Sequence, residues 1–266
     1  MDIVALMGLG TSVEQEAPLL AADLGSTVYE TALLLRSPSP VPLLRTEDRG
    51  RALELLAKLR ARRHDAVACD ASAVVSSDAM TRVRSFRFEG DGLAVTTAEG
   101  KDDRVAWTDA VAFVRAIQKS RTESVEKSTA SKLSLGRAAM TGGLLLTKKV
   151  TTQTTHTSEE REQVVYFFRQ GGVPLLFALS RTRYEGLGAD LRPSQIENFG
   201  TLIRLLRQRG AGAPYDERLL APRPAIERVR AGSGGGLSSV SSADGMDLLA
   251  HVIALSMART GSNPYR

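Results

Sequence analysis

The rhythm of the chain changes near residue 82, and that change limits the fold more than any other feature. Before it, short apolar runs alternate with helical patterns. Ile3–Leu6 ends in Gly8-Leu9-Gly10, a strand and turn. Val13, Ala17, Leu20, Ala21 and Leu24 then recur at helical spacing and stop at Gly25. Ser26 and Thr27 precede a second helix, with Glu30 three residues after Thr27 as a capping box. Its predicted stripe is Val28, Ala32 and Leu35. Val41–Arg45 reads as a strand, and Glu47 or Asp48 opens a helix with Ala52, Leu55, Leu56 and Leu59 on its buried face. Arg60, Arg62 and Arg63 suit the negative end of that helix. Ala66–Cys69 closes the series as a strand. This β-α-α-β-α-β order predicts a small α/β domain over residues 1–80.

After residue 82 the period drops to two. Val83, Phe86 and Phe88 begin a strand, Gly90-Asp91-Gly92 marks a turn, and Leu93–Val95 returns. Val105–Trp107 gives a third strand, and Val111, Phe113 and Ile117 fit a strand or a short helix. Glu162–Arg169 and Val173–Leu179 flank Gly171-Gly172 as a hairpin. Pro193 opens a helix with Ile196, Phe199, Ile203 and Leu206 on one face, stopped by Gly210. The stretch 120–157 reads as a long polar insertion, and Ser124–Leu135 offers little apolar area to offset the entropy of ordering it.

Phe86-x-Phe88-x-x-Asp91-Gly92-Leu93, Arg104-Val105-x-Trp107-x-Asp109 and the closing helix around Asn198-Phe199 together resemble bacterial pleckstrin-homology-like domains over residues 82–220. The resemblance implies a β-rich domain closed by a helix, and a binding or scaffold role without catalysis. No residue here matches the basic loop of the lipid-binding members, and fold alone does not fix function.

Residues 221–245 have the Gly/Ser composition of a flexible linker, followed by a terminal helix over 246–259. Asp244 suits its N-cap, Asp247 its positive end and Arg259 its negative end. Met246, Leu249, Val252, Ile253 and Met257 line one side, widened by Leu248 and Leu255. A helix of about 14 residues needs a surface to bury against. That surface is this chain's own body, a second copy or a foreign groove.

Chemistry is sparse. Gly8-x-Gly10 sits where a dinucleotide turn would, but Val13 occupies the third glycine position, so turn glycines explain it better. His64, His156 and His251 fall in three separate segments with no ligand spacing on a firmly predicted helix, which argues against a metal site. Cys69, the one cysteine, reads as a buried inert thiol, and its solitude points to a reducing, cytoplasmic setting. No run approaches the roughly 20 apolar residues of a membrane span. Charge is uneven: residues 1–80 hold 8 Lys/Arg against 11 Asp/Glu, whereas 81–222 hold 22 against 16. Lys127, Lys132, Arg137, Lys148 and Lys149, set among hydroxyls, are candidates for anion docking.

The expectation is an α+β chain: a small α/β domain (1–80), a β-rich domain (82–220), a linker and a terminal helix. Its leading function is non-enzymatic regulation or scaffolding through protein–protein binding, including self-association. The alternative is a peripheral binder of membrane or nucleic-acid surfaces through the basic second half. No catalytic, cofactor-binding or metal-ligating residue is singled out.

Overall fold

The computed structural model describes the backbone of residues 1–133, 147–222 and 242–260, and the side chains of 1–118, 161–222 and 245–259. The chain is α+β. Residues 1–118 and 162–266 form one compact unit, and residues 119–161 form a second.

The first sheet comes from β1 (Asp2–Gly8), β2 (Val41–Thr46) and β3 (Asp65–Asp70), in the order β2-β1-β3 with both pairings antiparallel. Between the strands run α1 (Val13–Leu24), α2 (Val28–Leu35) and α3 (Arg49–Ala61). Local chemistry sets their ends. The Ser12 hydroxyl accepts from the Gln15 N–H, and Gly25 leaves α1 in the left-handed region at φ 66°. Thr27 and Glu30 form the expected reciprocal capping box. The Asp48 carboxylate accepts from the Arg51 N–H to start α3.

Val4 and Leu6 face the helices, packing with Ala17, Leu20, Leu35, Ala52, Leu55 and Leu59. Ile3, Ala5 and Met7 face the other way into a different core. A strand buried on both faces reads as an unbroken apolar run, as β1 does.

The second sheet contains β4 (Thr81–Phe88), β5 (Gly92–Thr97), β6 (Asp102–Ala106), β7 (Ala110–Leu133), β8 (Thr147–Arg169), β9 (Leu175–Ala178) and β10 (Tyr215–Leu219). Its order is β10-β7-β8-β9-β4-β5-β6. The β10–β7 and β9–β4 pairs are parallel, and β4–β5, β5–β6 and β8–β9 are antiparallel. Helix α4 (Gln195–Arg209) covers one face through Phe199, Leu202, Ile203 and Leu206, which pack on Phe86, Leu93, Phe113, Phe167 and Phe177. Alternation along β8 sends Val165 and Phe167 to that core, and Val164, Tyr166 and Phe168 to the opposite one.

That opposite core is where the two sheets meet. Helix α5 (Ser242–Thr260) packs between them, with Leu249, Val252 and Ile253 fully buried among Ile3, Ala5 and Val67 of the first sheet and Val114, Tyr166 and Leu176 of the second. A helix apolar around most of its circumference is a buried helix. The boundary expected near residue 82 therefore divides two sheets, but the middle core belongs to both. The expected insertion differs as well: β7 runs on to Leu133 and β8 starts at Thr147, so strands enter the polar stretch from both sides.

Ile253→Ala should cost about 2–5 kcal/mol, the range for truncating a buried large aliphatic. Trp107 packs only against the α4-side core, so its fluorescence reports the second sheet. Urea curves from Trp107 fluorescence and from far-ultraviolet circular dichroism should shift together in this variant. Two separate transitions would mean that the layers do not share α5.

Candidate functional site

The residues predicted to bind a partner come together, but inward. Leu249, Val252 and Ile253 are fully buried, and Met246 and Met257 are half-buried against the same core. The surface that this helix needs is the chain's own. Among the predicted anion-docking residues, Arg137 lies outside the described residues. Lys127 and Lys132 fall on β7, and Lys148 and Lys149 on β8, with side chains outside the described set.

A polar cluster fixes α5 in place. Asp247 is 1% exposed, so it is not the surface helix-end residue its position suggested. Its carboxylate accepts from the Ser77 N–H at 2.6 Å, from the Ser77 hydroxyl and from the Tyr166 hydroxyl at 2.7 Å. The Gln118 amide donates to the Ser77 and Tyr166 oxygens at 2.6 and 2.7 Å, closing the ring of bonds. Burial, and then the neighbouring Asp247 charge, push the Tyr166 phenol well above its ordinary value, so it stays a donor. One turn on, His251 accepts the Val75 N–H at Nε2, 3.2 Å away, and Nδ1 faces the Asp247 carbonyl at 3.0 Å. These bonds make the ring the neutral Nδ1–H tautomer. Asp247 and His251 are thus an i, i+4 pair on one helix. Both reach into residues 74–77, which connect the first sheet to the second.

A second cluster lies where β1 enters α1. His64 accepts the Gly10 N–H at Nδ1, 2.9 Å away, and its Nε2 lies 2.8 Å from a Glu16 oxygen. Arg62 bridges Glu16 and Asp23, at 2.8 and 2.9 Å. Gly10 is glycine because a Cβ there would stand 2.2 Å from the Arg63 carbonyl oxygen. Close approach of two turns explains Gly10 without a phosphate. An open groove of about 480 Å³ beside α3 is lined by Asp23, Asp48, Arg51, Glu54 and Lys58, and neither Glu16 nor His64 reaches it. The cluster ties two turns together, and of its members Asp23 lines that groove.

The surface feature is the outer side of α1 and α2. Tyr29 is 77% exposed, Leu33 60%, Leu19 53% and Val28 51%. Glu14 at the start of α1 pairs with Arg36 at the end of α2, 3.5 Å apart, so the helices run antiparallel. Counting inward from that pair at equal rise brings Leu19 level with the middle of α2. Both helices turn their other sides to the first sheet, so Leu19, Tyr29 and Leu33 share one outward face, while Val28 is exposed at the start of α2. The predicted stripe of α2 holds at two of its three positions: Leu35 is buried and Ala32 packs against the same core, whereas Val28 is exposed and Thr31 is buried. The Thr31 hydroxyl donates to the Thr27 carbonyl at 2.9 Å and meets the Ser26 hydroxyl at 2.7 Å, so its burial leaves no polar group unpaired.

Cys69 is buried, and burial, then Asp70 and Asp2, push its thiol up to about 11. A thiol held protonated is a poor nucleophile. Among the described residues, no group of three or more His, Cys, Asp or Glu is placed to hold a metal ion, and no helix is long and apolar enough to cross a membrane. Comparison of the chain with protein-family models, with curated proteins and with solved structures gave no match.

Asp247→Ala should cost about 3 kcal/mol or more, because it strands the Ser77 N–H and the Tyr166 hydroxyl, each buried loss being worth about 1–3 kcal/mol. Tyr166→Phe removes one donor and should cost about 1 kcal/mol. Urea midpoints at neutral pH read both. Near-equal stability of Asp247→Ala and the parent would show that apolar packing alone seats α5.

Proposed function

We propose that the protein is a non-enzymatic protein-binding module, and that its docking face is the outer side of α1 and α2. The observation that carries this reading is the grouping of Leu19, Tyr29 and Leu33 on two adjoining antiparallel helices, with Val28 exposed at the start of the second. Scattered exposed apolar side chains are ordinary, whereas a contiguous set costs solubility unless something covers it. α2 has eight residues, six of them apolar, yet only Thr31 and Leu35 are buried.

The chemistry of the face selects its partner. Arg36 is paired with Glu14, and the Glu30 carboxylate accepts from the Thr27 N–H and hydroxyl at the start of α2, so charge sits at the margins of the apolar set. The face suits the apolar stripe of an amphipathic helix laid along the seam between α1 and α2. Four large side chains offer less than the roughly 1,000 Å² or more per subunit of an obligate dimer, which favours a transient partner over permanent self-association.

Pleckstrin-homology-like domains are binding and scaffold modules, so the resemblance of residues 82–220 agrees with this class of function. The anionic-surface alternative has less support. Several arginines of the basic half are spent on neighbouring carboxylates: Arg87 on Glu89, Arg104 on Glu89 and Asp91, Arg169 on Asp103 and Arg218 on Asp216.

A photo-crosslinking residue placed at Leu33 or Leu19 should capture one recurring polypeptide in cells, and Tyr29→Asp should abolish the adduct. Tyr29 is so exposed that this substitution should change stability by less than about 0.5 kcal/mol. Ile196 on α4, 68% exposed, is the control position. Equal adducts from Ile196, or none from the α1–α2 positions, would overturn the reading.

A further inference from the structure

We propose that α5 is an acid-released clasp between the two sheets, and that protonation of His251 is its trigger. The clasp has an apolar and a polar part. Leu249, Val252 and Ile253 fill the space between the sheets, while Asp247 and His251 bind the backbone N–H groups of Ser77 and Val75. Those two N–H groups belong to the connection between the sheets. One helix therefore holds both sheets and the segment joining them.

His251 can do this only while neutral. Its Nε2 accepts the Val75 N–H and its Nδ1 faces the Asp247 carbonyl, so a second ring proton would set one N–H against another. The ring also stands edge-on to Phe168 with centroids 4.9 Å apart and is half-buried, a setting that solvates a cation less well than open water does. Burial lowers the pKa of the imidazole, and the Asp247 backbone and charge oppose that effect without overcoming it. The titratable and charged groups on surrounding elements are few. Asp247 lies on α5 itself, Tyr166 on β8, and Cys69 and Asp70 on β3. Asp78 pairs with Arg82 beyond the connecting segment, and Asp216 with Arg218 on β10. Arg259 donates to the Ala66 carbonyl farther along α5. Of these, Asp247 alone acts on the ring.

The sign follows from a folded-state value depressed below the ordinary 6.5. The unfolded or released state binds the proton more readily, so the clasp is at full strength above 6.5. It weakens as pH falls from 6.5 toward the depressed folded value. Release is local because the cores under α1–α3 and under α4 contain no residue of α5.

Amide hydrogen exchange at pH 7.5 and 5.0, corrected for the intrinsic pH dependence of exchange, tests the proposal. Amides of α5 and of residues 74–80 should exchange faster at pH 5.0, by about tenfold for each pH unit of depression passed. Amides of α1, α3 and β5 should hold their protection. His251→Gln should remove the difference between the two pH values. In the unaltered protein, the midpoint of the change should follow the titration of the His251 ring by nuclear magnetic resonance, which keeps the test valid if the variant folds poorly. Constant α5 protection across the range, loss of protection everywhere at once, or a pH response that survives in His251→Gln would each overturn the proposal.

Discussion

The burial of α5 between two sheets is the contact that joins the α1–α3 layer to the α4 layer. The three-stranded sheet is apolar on both faces, and its own helices cover only one. Ile3, Ala5, Met7 and Val67 on the other face need a partner, as do Val114, Val164 and Tyr166 on the inner face of the larger sheet. Two sheets could close that gap directly, face to face, at about 10 Å. Here a helix fills it, and small residues at Ala5, Ala112, Ala116, Ala250 and Ala254 let backbone approach backbone.

Apolar packing alone would let such a helix slide or rotate by a residue with modest loss. The polar groups remove that freedom. Asp247 meets its donors at one axial position only, and His251 repeats the constraint one turn later. Arg259 adds a third anchor at the Ala66 carbonyl, and Arg218 reaches across to the Met7 carbonyl. A carboxylate satisfied by uncharged donors is costly to bury and severe to misplace, because every wrong register leaves it unpaired. The apolar surface supplies the attraction and the polar groups choose the geometry.

Local features were legible in the sequence because their causes are local. The Thr27–Glu30 box, the Asp48 cap and the Gly25 stop each depend on residues within a turn or two. The period-2 pattern after residue 82 located β4, β5 and the β8–β9 hairpin for the same reason. The apolar set of α5 was also legible, but its destination was not, since its partners are spread along the chain from β1 to β10. Asp247 and His251 did leave a signal, two polar residues four apart on an otherwise apolar helix. It does not reveal their partners, which are backbone N–H groups and two hydroxyls remote in sequence. On α2 the expected stripe departs only at Val28, and the added inward position is Thr31, whose hydroxyl is satisfied by the Thr27 carbonyl.

The span between β1 and α5 sets a schedule for the growing chain. The inner face of residues 2–8 is complete at once, but its cover lies some 240 positions later in the sequence. At about 5–20 residues per second of synthesis, that face waits on the order of 10–50 s. During that interval Ile3, Met7, Val67 and the Cys69 thiol line an open sheet, and β2 and β3 are its two edges. Selection on the first 80 residues therefore includes a nascent form that the finished fold conceals, one that must stay soluble with half its core missing.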